Sequence, residues 1–347
     1  MGIKRIEIED LLVFKGVFVA DFCNGVNVLI GENATGKTTL LKVLYWACEH
    51  TDMSSYNKES ESLRFRLHFL KNYFSGQNDS VIYSDANSYS PILSVSEGVH
   101  IEACPTLNVC FTETTITDTT DIWGDKKKLS VFIPTTEMLS HSRGFLALNR
   151  ERPIPFDKTE IDIISKAELE PTRDLTPNAS KALDTLASII GGAVIFDGKE
   201  FYVEKVIDGR KIPFSFEAGG YRKIGLLWKL LRNGLLESGS ILFWDEPENS
   251  LNPNLVPVLV SILLELSHNG VQVFIATHDY NVARYFDVRS DKYVPVMFHN
   301  LSKNEDAQIV CESSPKYIKL QNNPFETAST DLFKAVVNAA WEVQGNE

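Results

Sequence analysis

The stretch GENATGKT, residues Gly31–Thr38, decides the fold of this 347-residue chain. It has the spacing G-x-x-x-x-G-K-T and follows a short apolar run, Val26–Ile30. An apolar helical pattern continues from Thr38 to about Cys48. Strand, glycine-rich loop and helix, in this order, form the context that a phosphate-binding loop requires. The sequence therefore predicts a loop whose backbone amides and following helix N-terminus bind phosphate groups.

Each residue type in this loop suits phosphate chemistry. Gly36 permits the backbone conformation that turns successive amides inward. The Lys37 ammonium is expected to reach the β- and γ-phosphates of a nucleotide, and the Thr38 hydroxyl to bind Mg²⁺. The predicted cofactors are therefore ATP and Mg²⁺. The predicted nucleotide-binding residues of the loop are Gly31, Asn33, Ala34, Thr35, Gly36, Lys37, Thr38 and Thr39.

Polar side chains follow two apolar runs in the last third of the chain. Asp245 and Glu246 end the run that begins at Ile241, and His278 follows the run Val271–Ala276. In an open α/β sheet, ligands bind at the carboxyl ends of such strands. Asp245 is expected to hold Mg²⁺ with Thr38, and Glu246 to orient and polarise the attacking water. The predicted catalytic residues are Lys37, Glu246 and His278, the last as a contact for the γ-phosphate.

A second glycine-containing motif, EAGGYRK, spans Glu217–Lys223. Its two glycines precede a helical pattern from Tyr221 to Leu235. They create a second helix N-terminus that is suited to bind an anion. Ala218, Gly219 and Gly220 are therefore further candidates for nucleotide contact. One chain does not readily place this helix and the first loop on the same γ-phosphate.

The four motifs, in this order, resemble those of ABC-type ATPases, and within them the SMC, RecF and OLD-like branch. The resemblance covers roughly residues 1–50 and 210–300. Leu11–Lys15 resembles the N-terminal segment of RecF-like proteins. The segment Asp245–Pro253 resembles the D-E-P-E-x-x-L-H-P form of OLD-like ATPases, with Asn252 in place of the histidine. Ile133-Pro134 with Glu137 is also similar to a segment of these proteins.

The resemblance implies a P-loop NTPase with an ABC-type head and a composite site. ATP would lie between Gly31–Thr38 of one subunit and Ala218–Gly220 of a second, so a homo-oligomer of at least two copies is expected. Stand-alone OLD-like ATPases of this size resemble the sensor subunits of anti-phage systems such as Septu and PARIS. Those systems hold or release a separate effector, often a nuclease. An effector surface on residues 51–210 follows as an expectation.

Two departures from the family pattern keep alternatives open. Ala218 occupies the serine position of the L-S-G-G-Q signature, so a hydroxyl is absent and the amides of Gly219 and Gly220 remain. A nucleotide-binding scaffold with little turnover is therefore an alternative. Gln77 is the candidate for the Q-loop glutamine in the early arm, and an ordinary loop residue is an equal interpretation.

Strands that alternate with helices predict an α/β fold with a mainly parallel central sheet, and residues 3–20 predict an antiparallel strand pair. The long insert has prolines and tight turns without heptads, which argues against a coiled-coil arm. The 69 residues after His278 show no nuclease motif. The predicted head comprises residues 1–50 and 211–347. The predicted inserted lobe, 51–210, comprises a β-rich arm (51–128), a helical part (140–190) and hairpins (193–214).

The net charge of the chain limits the classes of partner that it is expected to bind. A net charge of −12 and a pI near 5.2 count against non-specific coating of nucleic acid, which usually needs a basic excess. Nucleic acid would bind through the effector or a local patch at Lys126–Lys128 or at Arg143, Arg150 and Arg152. A RecF-like DNA-repair ATPase is therefore the weaker alternative. No apolar run reaches about 18 residues, and the five scattered cysteines suggest no disulfide framework, so a cytoplasmic protein without a membrane partner is expected.

Overall fold

The computed structural model describes residues 2–49, 92–97, 106–110, 129–152, 156–290 and 293–344. Gln77 and Lys126–Lys128 lie outside these described residues. The strands are β1 Ile3–Leu11, β2 Phe14–Asp21, β3 Val26–Gly31, β4 Ile92–Glu97, β5 Thr106–Cys110, β6 Ser130–Ile133, β7 Gly192–Phe196, β8 Phe201–Lys205, β9 Lys211–Pro213, β10 Ile241–Asp245, β11 Gln272–Ala276, β12 Val296–Lys303 and β13 Ile309–Ser314.

The helices of the described residues flank these strands in chain order. Short 3₁₀ turns at Leu139–His141, Phe214–Phe216, Pro253–Leu255 and Tyr317–Lys319 connect some of them. The α-helices are α1 Lys37–Glu49, α2 Phe145–Glu151, α3 Lys158–Ala167, α4 Pro177–Ile190, α5 Gly219–Arg232, α6 Val256–His268, α7 Tyr280–Arg289 and α8 Pro324–Gln344.

A six-stranded sheet forms the centre of the molecule, in the order β13-β12-β3-β11-β10-β6. The strands from β12 to β6 run parallel, and β13 is antiparallel to β12. Every residue of β3, β6, β10 and β11 is buried, as expected for a parallel sheet covered on both faces. The predicted α/β fold with a mainly parallel sheet is confirmed. The carboxyl ends of β3, β11 and β10 lie side by side at one edge.

A second, antiparallel sheet has the order β2-β1-β4-β5 and packs on α1. The predicted strand pair within residues 3–20 is confirmed by β1 and β2. The side-chain amide of Gln272, in β11, joins this sheet to the central one. Its oxygen accepts a hydrogen bond from the Ile3 amide at 2.8 Å, and its nitrogen donates to the Ile3 and Cys23 carbonyls at 2.7 Å each.

Residues 130–152 and 156–213 contribute side chains to a hydrophobic core that they share with the central sheet. Ile163 of α3, Leu186 of α4 and Val203 of β8 lie in one buried cluster with Leu242 of β10. Strand β6 is itself a member of the central sheet, where it pairs with β10. Strands β7, β8 and β9 form a small antiparallel sheet of two hairpins. The division into head and inserted lobe stays a prediction.

Helix boundaries differ from the sequence prediction where local chemistry decides them. Helix α5 begins at Gly219 rather than Tyr221, and ends before Asn233 and Gly234, where Gly234 adopts a φ of +73°. Helix α7 was not predicted, although the Asp279 side chain caps it by accepting from the Asn281 and Val282 amides. No helix of the described residues is long and apolar enough to cross a membrane.

Candidate functional site

The loop between β3 and α1 has the backbone that a phosphate-binding loop needs. Ala34 and Gly36 adopt positive φ values of 59° and 87°. A Cβ at Gly36 would lie 2.7 Å from Val13 Cγ2 and 2.9 Å from Phe14 Cζ, so the loop packs directly against the β1–β2 turn. Glycine is the residue that meets both the conformational and the spatial demand here.

The Lys37 ammonium is buried inside this loop. It donates hydrogen bonds to the carbonyls of Gly31 at 2.9 Å and Glu32 at 2.7 Å. Burial lowers the Lys37 pKa to about 8, against the opposing effect of the Asp245 and Glu246 carboxylates. The loop thus holds a positive charge in place among its own backbone carbonyls, where phosphate oxygens would be its natural alternative partners.

Three oxygen-bearing side chains converge beside the loop. The Thr38 hydroxyl donates to Asp245 Oδ1 and Oδ2 at 3.1 and 2.9 Å, and the Thr135 hydroxyl donates to Asp245 Oδ2 at 3.0 Å. Burial raises the Asp245 pKa, and the two hydroxyl donors oppose that shift. Carboxylate and hydroxyl oxygens are ligands that Mg²⁺ accepts, so the donor set fits the predicted ion.

Thr135 was missed by the sequence prediction. It follows β6, and β6 runs parallel to β10 and adjacent to it, so both carboxyl ends reach the same edge of the sheet. The apolar run ending at Pro134 was the available signal. The sequence did not reveal that β6 pairs with β10 in the central sheet.

Glu246 and His278 lie close together at the same edge, with His278 Nε2 3.9 Å from Glu246 Oε1. Glu246 has a left-handed φ of 49°, and its amide donates to the Ala276 carbonyl at 2.9 Å. Both side chains are partly exposed and accessible to a reactant. Burial, followed by the nearby Lys37 charge, lowers the His278 pKa, which favours the neutral imidazole.

Two further charged residues at this edge were not predicted. The Glu248 carboxylate accepts hydrogen bonds from the Thr277 hydroxyl at 2.8 Å and from the His278 amide at 3.0 Å. Burial raises the Glu248 pKa. The Lys223 ammonium, from the start of the second turn of α5, donates to the Glu246 carbonyl at 2.7 Å.

The second glycine motif starts α5, with Ala218 as an N-cap residue that makes no side-chain capping bond. The glycine pair packs closely on the loop that follows Glu246. A Cβ at Gly219 would lie 3.1 Å from Ser250 Cβ, and one at Gly220 would lie 3.0 Å from the Ser250 carbonyl oxygen. The structure therefore brings this motif next to the segment after β10 in the same chain.

Two protein-family models match the chain. The model described as "AAA domain, putative AbiEii toxin, Type IV TA system" matches residues 177–284, and one described as "AAA domain" matches residues 5–133. Together they include the phosphate loop, the second glycine motif, Asp245, Glu246 and His278.

Curated and solved proteins give more limited matches. A "Putative ABC transporter ATP-binding protein" from Caldanaerobacter subterraneus subsp. tengcongensis is 31% identical over 118 residues, which cover 34% of this chain and 42% of that protein. The match thus spans less than half of that relative. An SMC head, solved bound to the C-winged helix domain of ScpA, is 11% identical with a TM-score of 0.54, covering 90% of this chain and 98% of that one. The SMC head from Thermotoga maritima is 12% identical with a TM-score of 0.47, covering 91% and 99%.

The first SMC head shows that this chain has the same fold, and the family models agree with the phosphate loop and sheet edge described above. The chain therefore has the fold of an SMC head, and two separate parts of it are similar to AAA domains.

Proposed function

We propose that the chain binds Mg²⁺-ATP and hydrolyses it at a site completed by a second copy. The observation that carries this proposal is the convergence at one sheet edge of Lys37, the oxygen cluster around Asp245, and the Glu246–His278 pair. These are the groups that phosphoryl transfer needs for charge neutralisation, metal binding and orientation of the attacking water.

Each residue has a role in the proposed reaction. Lys37 and the loop amides bind the phosphates, and Thr38 with Asp245 would hold Mg²⁺. When bound, Mg²⁺ supplies positive charge that polarises the phosphoryl oxygens. Glu246 orients the attacking water and accepts its proton. The neutral His278 imidazole donates a hydrogen bond toward the γ-phosphate.

The start of α5 supports a composite site. Beside the glycine pair, Phe216 is 82% exposed and Tyr221 is 41% exposed, so large apolar side chains surround a helix N-terminus. Such a surface suits contact with another protein and with an anion. Nucleotide binding would assemble two copies around two such sites, and hydrolysis would release them. ATP would then act as a switch on the assembly.

The switch is proposed to control a separate effector protein, a nuclease in anti-phage defence. This step rests on the resemblance of the segment Asp245–Pro253 to stand-alone OLD-like ATPases. An SMC head of the same fold has been solved with a bound partner domain, which supports partner binding by such heads. We assign the effector surface to residues 51–210, and nucleic acid would be reached through the effector.

The test is the solution mass of the Glu246→Gln variant with and without Mg²⁺-ATP. This substitution is expected to permit binding and block hydrolysis, so ATP should double the mass. The Lys37→Ala variant should abolish the change. An unchanged mass of Glu246→Gln at saturating ATP would contradict nucleotide-driven assembly.

A scaffold that binds nucleotide with little turnover is the second candidate, and Ala218 favours it. Ala218 is the N-cap residue of α5, and its methyl side chain has no hydroxyl to offer a γ-phosphate. Comparing ATP hydrolysis by wild type and Ala218→Ser separates the two functions. A wild-type rate near background that rises strongly in Ala218→Ser would favour the scaffold.

A further inference from the structure

We propose that Lys223 and Glu248 are positioning residues that link the N-terminus of α5 to the hydrolytic pair Glu246–His278 of the same subunit. The proposal rests on the proposed function and extends it. Contact of a second copy with Gly219 and Gly220 would then be coupled to the geometry of hydrolysis.

Lys223 occupies a buried position, which is unusual for a lysine. Its side chain is buried, with 3% of the residue exposed, and its ammonium donates to the Glu246 carbonyl at 2.7 Å. Burial lowers its pKa to about 8, while the charges of Glu248, Glu246, Asp245 and Glu137 oppose that shift. A buried ammonium is costly unless it is hydrogen-bonded and near opposite charge, so its partners here define its position.

The contact matters because Glu246 is held in an unfavourable conformation. A φ of 49° is disfavoured for a residue with a Cβ, and surrounding contacts must stabilise it. The Ala276 carbonyl accepts from the Glu246 amide, and Lys223 donates to the Glu246 carbonyl. Both ends of the residue are therefore fixed, and so is the direction in which its carboxylate leaves the backbone.

Glu248 holds the backbone of His278 in place, as Lys223 does for Glu246. Its Oε1 accepts from the Thr277 hydroxyl and the His278 amide, which fixes the backbone that carries the imidazole. Its Oε2 is buried without a hydrogen-bond partner among the described residues. Among the carboxylates that raise the pKa of Lys223 against the effect of burial, Glu248 has the largest effect. The two buried groups of opposite charge thus belong to one electrostatic unit around the hydrolytic pair.

The first turn of α5, which immediately precedes Lys223, contacts the surrounding loops. Gly219 and Gly220 pack on Ser250 and Leu251, in the loop that contains Glu248. Arg222 lies 3.4 Å from the carboxylate of Glu137, two residues after Thr135. A shift of the helix N-terminus on contact with a second copy would therefore reach Glu246 through Lys223.

The experiment compares Lys223→Met with Lys229→Met. Lys229 is also buried on α5, and burial lowers its pKa too, but its acidic neighbour is Glu170 rather than the site carboxylates. Both variants remove one buried ammonium from the same helix. Lys223→Met is expected to lower kcat at least about tenfold and to change KM and nucleotide Kd by less than about threefold, because a contact important for hydrolysis rather than binding is lost. Lys229→Met should keep kcat within about twofold of wild type.

Glu248→Gln provides a second variant in case Lys223→Met does not fold. The amide keeps the shape and the accepting oxygen but removes the charge, and a similar selective loss of kcat is expected. Equal kcat values in Lys223→Met, Glu248→Gln and wild type would overturn the inference while leaving the proposed function standing. An absence of hydrolysis in wild type would instead overturn the proposed function and this inference with it.

Discussion

The protonation state of the buried residue His299 is set by its hydrogen-bond partners and by its burial. Its Nδ1 lies 2.8 Å from the Ser313 hydroxyl and its Nε2 lies 3.2 Å from Asn27 Oδ1. The Asn27 amide nitrogen donates to the Cys23 carbonyl, so its oxygen faces the imidazole and Nε2 must be the donor. Nδ1 then accepts from Ser313. The histidine is neutral, and burial lowers its pKa to about 3.

This shift predicts a pH dependence of stability. The unfolded chain binds a proton near the ordinary pKa of 6.5, whereas the folded chain does so only near 3. His299 therefore favours folding fully above pH 6.5, and this contribution is lost as pH falls between these values. The free energy of unfolding should fall by up to about 1.4 kcal/mol per pH unit from this group.

Urea unfolding at about pH 7.5 and about pH 5.5 measures the effect, with His299→Gln as the control. The variant loses overall stability but should lose less between the two pH values than wild type. An equal loss in both proteins would show that other groups cause the acid sensitivity.

At the residue scale, the sequence predicted the groups carried by local motifs. Lys37 and Thr38 belong to the phosphate loop, and Asp245 ends an apolar run, so their placement follows from short-range pattern. Thr135, Lys223 and Glu248 reach the site because of which strands are neighbours and how α5 packs. These contacts join residues that are distant in sequence, so the spacing of residues within a local motif does not predict them.

At the element scale, the conformation of the phosphate loop depends on the β1–β2 turn that packs against Gly36. Gly36→Ala would force a residue with a Cβ into a φ of 87° and bring it against Val13 and Phe14. Nucleotide affinity should fall at least about tenfold because the amides can no longer all turn inward. Titration of a fluorescent ATP analogue measures the change.

Gly198→Ala is the matched control, since Gly198 has a φ of 88° and no atom lies within 4 Å of the added Cβ. It should cost only about 1 to 2 kcal/mol of stability and leave nucleotide binding intact. Unchanged binding in Gly36→Ala would contradict the spatial argument for this loop.

Strands were predicted more closely than helix starts. Strand β10 is a continuous apolar run whose type and position follow from burial on both faces. Helix α7 is short and has mixed polarity, so its pattern is weak, and its clearest signal was the capping Asp279. Helix α5 extends to Gly219 despite the low helix propensity of glycine, and a Cβ at this position would lie only 3.1 Å from Ser250 Cβ.

At the scale of the whole molecule, a composite site predicts complementation between two inactive variants. Lys37→Ala removes the phosphate loop function, and Gly219→Asp places a negative charge where the γ-phosphate would meet the partner's helix. A mixed dimer would contain one site made from the intact loop of one subunit and the intact helix of the other. An equimolar mixture should recover about a quarter of wild-type turnover, since about half the dimers are mixed and each has one of two sites.

Steady-state hydrolysis by the separate variants and by their mixture measures this recovery. If the mixture is as inactive as its components under conditions where subunits exchange, each chain must use its own two motifs.

The left-handed backbone at Glu246 has a consequence for the history of such proteins. Glycine or asparagine would occupy that conformation at lower energy, so a glutamate there is favoured only while its carboxylate is useful. A lineage that came to use nucleotide solely as a structural ligand would be under pressure to relax this position first. If Glu246 is the residue that orients the attacking water, glycine or asparagine at the matching place in a related sequence would mark a protein that binds ATP without hydrolysing it.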